Sequence, residues 1–308
     1  MCTSIAYHGN GFCFGRNMDI EYSFGERLIV CGRRFPFNFR CANTILEHNA
    51  IIGVGTVIDG YPLYADAMNE RGLCIAGLNF PGYAHFPKDS DSRLKIAPYE
   101  LIPYLLGSCA SVDDVRTVLS DTCIVDIPFC DDVPNATLHW HIADRASSIT
   151  LESTTQGLRL YDNSVNVLTN SPPFDFQLEH FFAYSNLSST SRGERHSLGY
   201  GAVGLPGDLS SMSRFVRAAF LLGCSPKELS DDSACDHLLS LLAAVAMTDG
   251  AVTDGEGKTH RTVYSSCMYP DAGEYILKRS GRIAPSVFSL SELDPISDGM
   301  LCIDAFGE

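Results

Sequence analysis

The chain has 308 residues, 45% of them hydrophobic and 19% charged, enough to close a large core. Its formal net charge of −15 argues against nucleic acid and anionic membrane surfaces as partners, because both demand clustered lysine and arginine. No composition shift marks a linker, no run of about 18 apolar residues marks a membrane span, and no apolar leader follows the first residue. The expectation is therefore one domain over residues 1–308 in a soluble, cytoplasmic protein.

The opening MCTSIAYHGNGFCFGRNMD carries the candidate chemistry. If Met1 is removed, Cys2 bears a thiol and an α-amine on one residue. An amine of reference pKa about 8 can take the thiol proton near neutral pH. Two β-branched and aromatic runs flank Gly9-Asn10, a two-residue signal for a type II′ hairpin. Counting outward from His8 and Gly11 pairs Thr3 with Arg16 and Cys2 with Asn17, and makes Arg16 and Asp19 neighbours of Cys2. A permanent cation beside a thiol favours the thiolate, and Asp19 is placed to accept from the α-amine.

Strand and loop follow through IEYSFGERLIV and RRFPFNFR, where some of Phe24, Phe35, Phe37 and Phe39 should line a cavity. The strand NAIIGVGTVIDG begins a G-x-G-x-x-G that fails at Ile58, which dismisses a dinucleotide site. PLYADAMNERGLCIAGLNF reads as two strands around Asn69–Gly72, ending at Asn79. IAPYELIPYLLGSC and SVDDVRTVLSD read as helices, the second with Ser111 and Asp114 as an N-terminal capping pair. Cys123, Cys130, His139 and His141 lack paired C-x-x-C spacing, and the two histidines alternate along one strand, so no metal is expected. Twelve cysteines show no framework spacing, and Cys74, Cys109 and Cys224 lie in apolar runs, which points to free thiols in a reduced compartment.

Three short strands in SITLEST, GLRLYDN and VNVLTN end at Asn170, before a Ser-Pro-Pro stop. Asn79 and Asn170, two asparagines at strand ends, are placed near a reacting carbonyl on the ground that amide donors stabilise a developing oxyanion. FDFQLEHFFAYS is helical by periodicity, and a polar, glycine-rich loop follows from Ser185. A helix is expected from about Ser211, with Arg214 in its first turn beside a buried anionic or polar partner. Ser225-Pro226-Lys227-Glu228 reads as a capping box opening a further helix, ACDHLLSLLAAVAM as a buried helix, and TVYSSCMYP and GEYILKR as strands. Strand-rich halves separated by helices suit a layered α+β fold.

MCTSIAYH with FGRNMDIEYSFGERLIV resembles the start of the choloylglycine hydrolase family of N-terminal-nucleophile enzymes, which includes bile salt hydrolases and penicillin V acylases. The resemblance continues through YPLYADAMNERGLCIAGLNFPGYA, IVDIPFCDDVPNATLHWHIAD, VLTNSPPFDFQLEH and GLPGDLSSMSRFVRAAF, to about residue 270. It implies a four-layer αββα sandwich and hydrolysis of a linear amide through a thioester, with no cofactor. By matching position it implies Cys2, Arg16, Asp19, Asn79, Asn170 and Arg214 as the catalytic set. Relatives favouring penicillin V tend to carry tyrosine at the position of Asn79, and bile salt hydrolases asparagine, which implies glycine- or taurine-conjugated bile acids as substrates. Penicillin V, an acyl homoserine lactone, or ligand binding without catalysis remain the alternatives. Met18, Ile58, Ala65, Phe129 and Val133 match pocket positions, with Asn79 at its mouth. A homotetramer is common in the family. This chain departs from it after Ser185, where the loop is short, and after Gly281.

Overall fold

The computed structural model describes residues 1–190, 201–293 and 297–307. Part of the expected glycine-rich loop and of the divergent tail lies outside the described residues. Two antiparallel sheets stack face to face. The first runs β12 (Val167–Leu168), β1 (Cys2–His8), β2 (Phe12–Ile20), β14 (Thr259–Tyr269), β15 (Glu274–Arg279) and β16 (Ser286–Ser289), with the short β13 (Val252–Thr253) paired to β14. The second runs β11 (Gly157–Asp162), β10 (Ser148–Thr154), β9 (Leu138–Ala143), β6 (Cys74–Asn79), β5 (Tyr61–Asn69), β4 (Ile51–Ile58), β3 (Arg27–Cys31) and β17 (Met300–Ile303). A separate parallel pair joins β7 (Leu94–Ile96) to β8 (Thr122–Ile124).

Alternation sorts the side chains into layers. From β1, Cys2, Ser4 and Ala6 face the second sheet, while Thr3, Ile5 and Tyr7 face α4 (Ser211–Gly223) and α5 (Asp231–Ala243) on the outer side. On the far side, Ile29, Ile51, Ala67, Ile75, Trp140 and Ile142 are buried with Leu101, Ile102 and Leu105 of α1 (Leu101–Ser108) and Val112 and Val115 of α2 (Val112–Leu119). Helices thus cover both outer faces, with α3 (Phe174–Phe182) packed on α4, giving the four-layer αββα sandwich. The expected cap holds: Ser111 accepts from the Asp114 N–H and Asp114 reaches back to the Ser111 N–H. Gly15 allows α5 its close approach, since a β-carbon there would lie 2.3 Å from the Ser266 carbonyl and press on Leu238 and Leu242.

Two local expectations are corrected. The hairpin loop has three residues, Gly9 to Gly11, closed by the Gly9 N–H on the Gly11 carbonyl, so His8 pairs with Phe12 and Cys2 with Met18. The register is one residue off the count made from Gly9-Asn10, and a one-residue slip exchanges the faces of a strand. Paired as expected, Arg16 would point away from Cys2; as observed, it shares the inner face with it. The capping box at Ser225 also fails. That segment is irregular, held by the Tyr7 hydroxyl on the Pro226 carbonyl and the Asn10 N–H on the Lys227 carbonyl, and the helix starts at Asp231. These tertiary bonds outweigh a local helix start worth about 1 kcal/mol. Cys224, expected to be buried, is exposed, whereas Cys74 and Cys109 are buried, and none of the twelve cysteines is in a disulfide.

Candidate active site

Cys2 opens β1 on its inner face and is 3% exposed, on the wall of a cavity of about 570 Å³. The observed register brings Arg16 to it: Nη2 donates to Cys2 Sγ at 2.6 Å. The rest of the guanidinium is clamped by the opposite sheet, Nη1 donating to the carbonyls of Ala65 at 3.1 Å and Gly77 at 2.9 Å. Ala65 is available because β4 and β5 slip register there. Val54 pairs with Asp66 and Gly55 with Tyr64, leaving Ala65 as the extra residue of a bulge. Asp66 lies behind, its Oδ2 3.8 Å from Arg16 Nε, and accepts from Tyr264 and Tyr275 and, at 3.2 Å, from Ser266. Burial works against the charge on Arg16, but the Cys2 thiol, Tyr264 and Asp66 more than offset it and hold the guanidinium above its usual range. Burial pushes the Asp66 carboxyl up, opposed first by Arg16.

On the helix side, β12 fixes Asn170. Ser4 pairs with Leu168, and continuing that register sets Asn170 opposite Cys2. Its Oδ1 accepts from the Cys2 N–H at 2.7 Å and from Arg214 Nη2 at 2.8 Å, while its Nδ2 donates to the Asn79 carbonyl at 2.7 Å. With two donors on one atom and an acceptor on the other, the amide has one sensible orientation. Arg214, fully buried in the first turn of α4, also donates to the Cys2 carbonyl at 2.5 Å and to Thr3 Oγ1 at 2.6 Å. Its anionic partner is Asp19, 3.9 Å away. Burial lowers the Arg214 pKa and raises that of Asp19, each opposed by the other's charge.

Asp19 Oδ1 accepts from Thr262 at 2.5 Å, and Oδ2 is buried without a hydrogen-bond partner. The expected side-chain bond from Asp19 to the Cys2 nitrogen is not formed while Met1 is attached. Instead the Met1 amine and carbonyl bond the Asp19 main chain. Asn79, at the end of β6, faces the cavity, its Oδ1 accepting from Thr137 Oγ1 at 2.9 Å. The Asn170 amide is spent on Cys2, Arg214 and the Asn79 carbonyl, so its geometry is that of a hub.

Met18, Ala65, Asn79, Phe129 and Val133 all line the cavity, with Phe24, Leu63, Tyr99 and Ile102. Ile58 does not. It lies two residues beyond the lining residue Thr56 on β4, opposite Tyr61 at the tip of the hairpin. Of the other phenylalanines, Phe37 is fully buried in the far core and Phe35 and Phe39 pack against it. The two histidines of β9 bond elsewhere: His141 lies between Ser4 Oγ and Ser148 Oγ, both at 2.7 Å, and His139 between Glu152 and the Thr169 carbonyl. Sequence reasoning missed Asp66, Tyr264, Tyr275, Thr262 and Thr137. Asp66 alone carried a signal, as a lone acid inside an otherwise apolar stretch of strand.

Two stacked sheets between helices, with a cysteine at the head of a central strand on a cavity, define an N-terminal-nucleophile type of hydrolase. The model of the choloylglycine hydrolase family of linear amide C–N hydrolases matches residues 2–294, and the chain belongs to that family. It is 43% identical over 284 residues to a bile salt hydrolase/transferase from Lactiplantibacillus plantarum, covering 89% of this chain and 88% of that protein. It is 39% identical over 297 residues to one from Clostridium perfringens, with coverages of 89% and 88%. A crystal structure of a mutant conjugated bile acid hydrolase from Clostridium perfringens superposes with a TM-score of 0.91 at 34% identity, covering 99% of this chain and 97% of that one. Penicillin V acylase from Agrobacterium tumefaciens, 22% identical, superposes at 0.81 over 98% and 91% of the two chains and shows the shared fold.

Proposed function

We propose that the chain hydrolyses the amide of glycine- or taurine-conjugated bile acids, with Cys2 as nucleophile after loss of Met1. The observation that carries this reading is the contact of Arg16 Nη2 with Cys2 Sγ at 2.6 Å, on the wall of a largely apolar cavity, with the Cys2 nitrogen held by Asn170. Removing Met1 turns that nitrogen into an α-amine and frees the Asp19 main chain. Asp19 Oδ2, which accepts no hydrogen bond and faces Arg214 at 3.9 Å, then offers an acceptor for the added ammonium proton.

The α-amine takes the thiol proton, and the sulfur, stabilised by Arg16, attacks the substrate carbonyl. The C–O π electrons move onto oxygen, and the Asn79 side-chain amide, oriented by Thr137, donates to that oxyanion. Collapse breaks the C–N bond as the ammonium returns a proton to the departing nitrogen. The amine then deprotonates a water that attacks the thioester, and the free acid and Cys2 thiol are restored. Met18, Ala65, Phe129 and Val133 bury the steroid. About 200 Å² of apolar contact at about 25 cal/mol per Å² supplies about 5 kcal/mol of binding. Asn79, rather than tyrosine, favours bile conjugates over penicillin V.

Chromatographic assay of free acid from glycocholate, taurocholate and penicillin V tests the reading. Faster release from either bile conjugate is expected; faster release from penicillin V overturns the substrate assignment, and none from any of the three overturns the activity. The same reading takes residues 1–308 as one domain, cytoplasmic because none of the twelve cysteines is in a disulfide, and assembled as a homotetramer by likeness to the family. No helix among the described residues is long and apolar enough to cross a membrane.

A further inference from the structure

We propose that His139 is a positioning residue that sets Asn79 and Asn170 relative to each other and so aligns the oxyanion donor with the Cys2 amine; this rests on the roles proposed above. His139 is fully buried on the inner face of β9, opposite Leu78 of β6. Its Nε2 lies 3.0 Å from the Thr169 carbonyl, which only accepts, so Nε2 carries a proton and holds the peptide leading into Asn170. Its other nitrogen, Nδ1, lies 3.1 Å from Glu152 Oε1, which also takes the Phe174 N–H at 2.9 Å. The ring plane is therefore fixed from both edges.

One face of that ring stacks on Phe80, centroids 4.3 Å apart and planes 5° from parallel. Phe80 is the residue after Asn79, and its N–H bonds the Thr137 carbonyl at 2.7 Å. His139 thus touches the chain on the Cys2 side through Thr169 and on the cavity side through Phe80, without touching substrate itself. The Asn170 main-chain N–H and carbonyl are held by Ser211 Oγ and Gln177 Nε2, and the Thr169 carbonyl ties this segment to β9. Loss of the imidazole leaves that carbonyl without its β9 donor and removes the closer stacking contact of Phe80, which keeps the looser one on Tyr83 at 5.5 Å. Small displacements at distance from the reacting atoms can cost about 100-fold in rate.

The test compares His139→Gln and His139→Phe with the Met1-free parent. Glutamine can keep a donor near the Nε2 position, whereas phenylalanine keeps a ring without one. His139→Phe is expected to lose about 10- to 100-fold in kcat with KM within about threefold, and His139→Gln to recover most of it. The alkylation rate of Cys2 by iodoacetamide across pH reads the held amine without any substrate, and is expected to shift its pH profile in His139→Phe. A folded His139→Phe protein with parental kcat and alkylation profile overturns the proposal. If that variant does not fold, Phe80→Leu takes its place, with about tenfold loss in kcat expected and parental kcat overturning. If the parent cleaves no bile conjugate, the function proposed above fails while the alkylation profile still decides the role of His139.

Discussion

Arg16 offers a test in which stability and chemistry separate. Arg16→Met removes the donor to Cys2 Sγ, the two bonds to the Ala65 and Gly77 carbonyls, and the cation facing Asp66. Breaking a fully buried ion pair from one side costs about 3–5 kcal/mol, because the remaining charge is stranded. Asp66 already has its pKa raised by burial, with Arg16 the main opposing influence. Without Arg16 the folded pKa rises further, so the proton is bound more tightly in the folded than in the unfolded state. The stability Asp66 then contributes is complete below its unfolded pKa of about 4 and is lost as pH rises through the folded value. Urea unfolding of Arg16→Met should accordingly show a large deficit at pH 8 that shrinks at pH 5. Adding Asp66→Asn removes the stranded charge and should restore much of the stability at pH 8, while amide hydrolysis stays at least about 100-fold down because nothing stabilises the sulfur. A stable double variant with near-parental activity would refute the claim that Arg16 acts on Cys2, and would leave it as a counter-ion for Asp66.

Other outcomes follow from single contacts. Asn170→Asp keeps the acceptor for Cys2 and Arg214 but loses the Nδ2 donor to Asn79, and should lose about tenfold in kcat, whereas Asn170→Ala strands the buried Arg214 donor and should lose about 100-fold and melt lower; equal behaviour in both assays would contradict the hub. Phe129→Ala should raise KM about tenfold, and Ile58→Ala, outside the cavity lining, should leave it within about twofold. His141 is pushed down to about 3 by burial and then by His8 and His139. It stays neutral in the folded chain while the unfolded chain protonates below about 6.5, so stability should fall with pH between those values by about 1.4 kcal/mol per unit. Equilibrium unfolding from pH 7 to pH 4 that lost no stability to this group on comparison with His141→Asn would contradict its burial.

The layered fold was legible because alternating strands and capped helices are local signals: Ser111 with Asp114, the helix from Ser211, and the strands around Asn69–Gly72 all form as their residues suggest. Register was not. Gly9-Asn10 advertises a two-residue turn, but the choice between Asn17 and Met18 as partner of Cys2 is made by packing of both faces, and only the observed choice turns Arg16 inward. The candidate site was legible as residue types, not as contacts. Ala65 was marked as a pocket wall, whereas its carbonyl, exposed by a bulge that no local pattern announces, anchors Arg16. Asp66 and the two tyrosines that hold it are far apart in sequence and meet only when the two sheets close. The failed capping box at Ser225 shows the converse, a good local signal overridden by bonds from the hairpin tip.

Cys2, freed of Met1, is proposed to carry the acyl group. Rapid acid quench of the enzyme mixed with excess glycocholate, followed by mass spectrometry of the N-terminal peptide, tests it most directly. A peptide that begins at Cys2 and carries the cholyl mass on that residue is expected, appearing within the first turnover and absent in Cys2→Ser. A fully active protein that retains Met1, or an acyl adduct on any other residue, would contradict it.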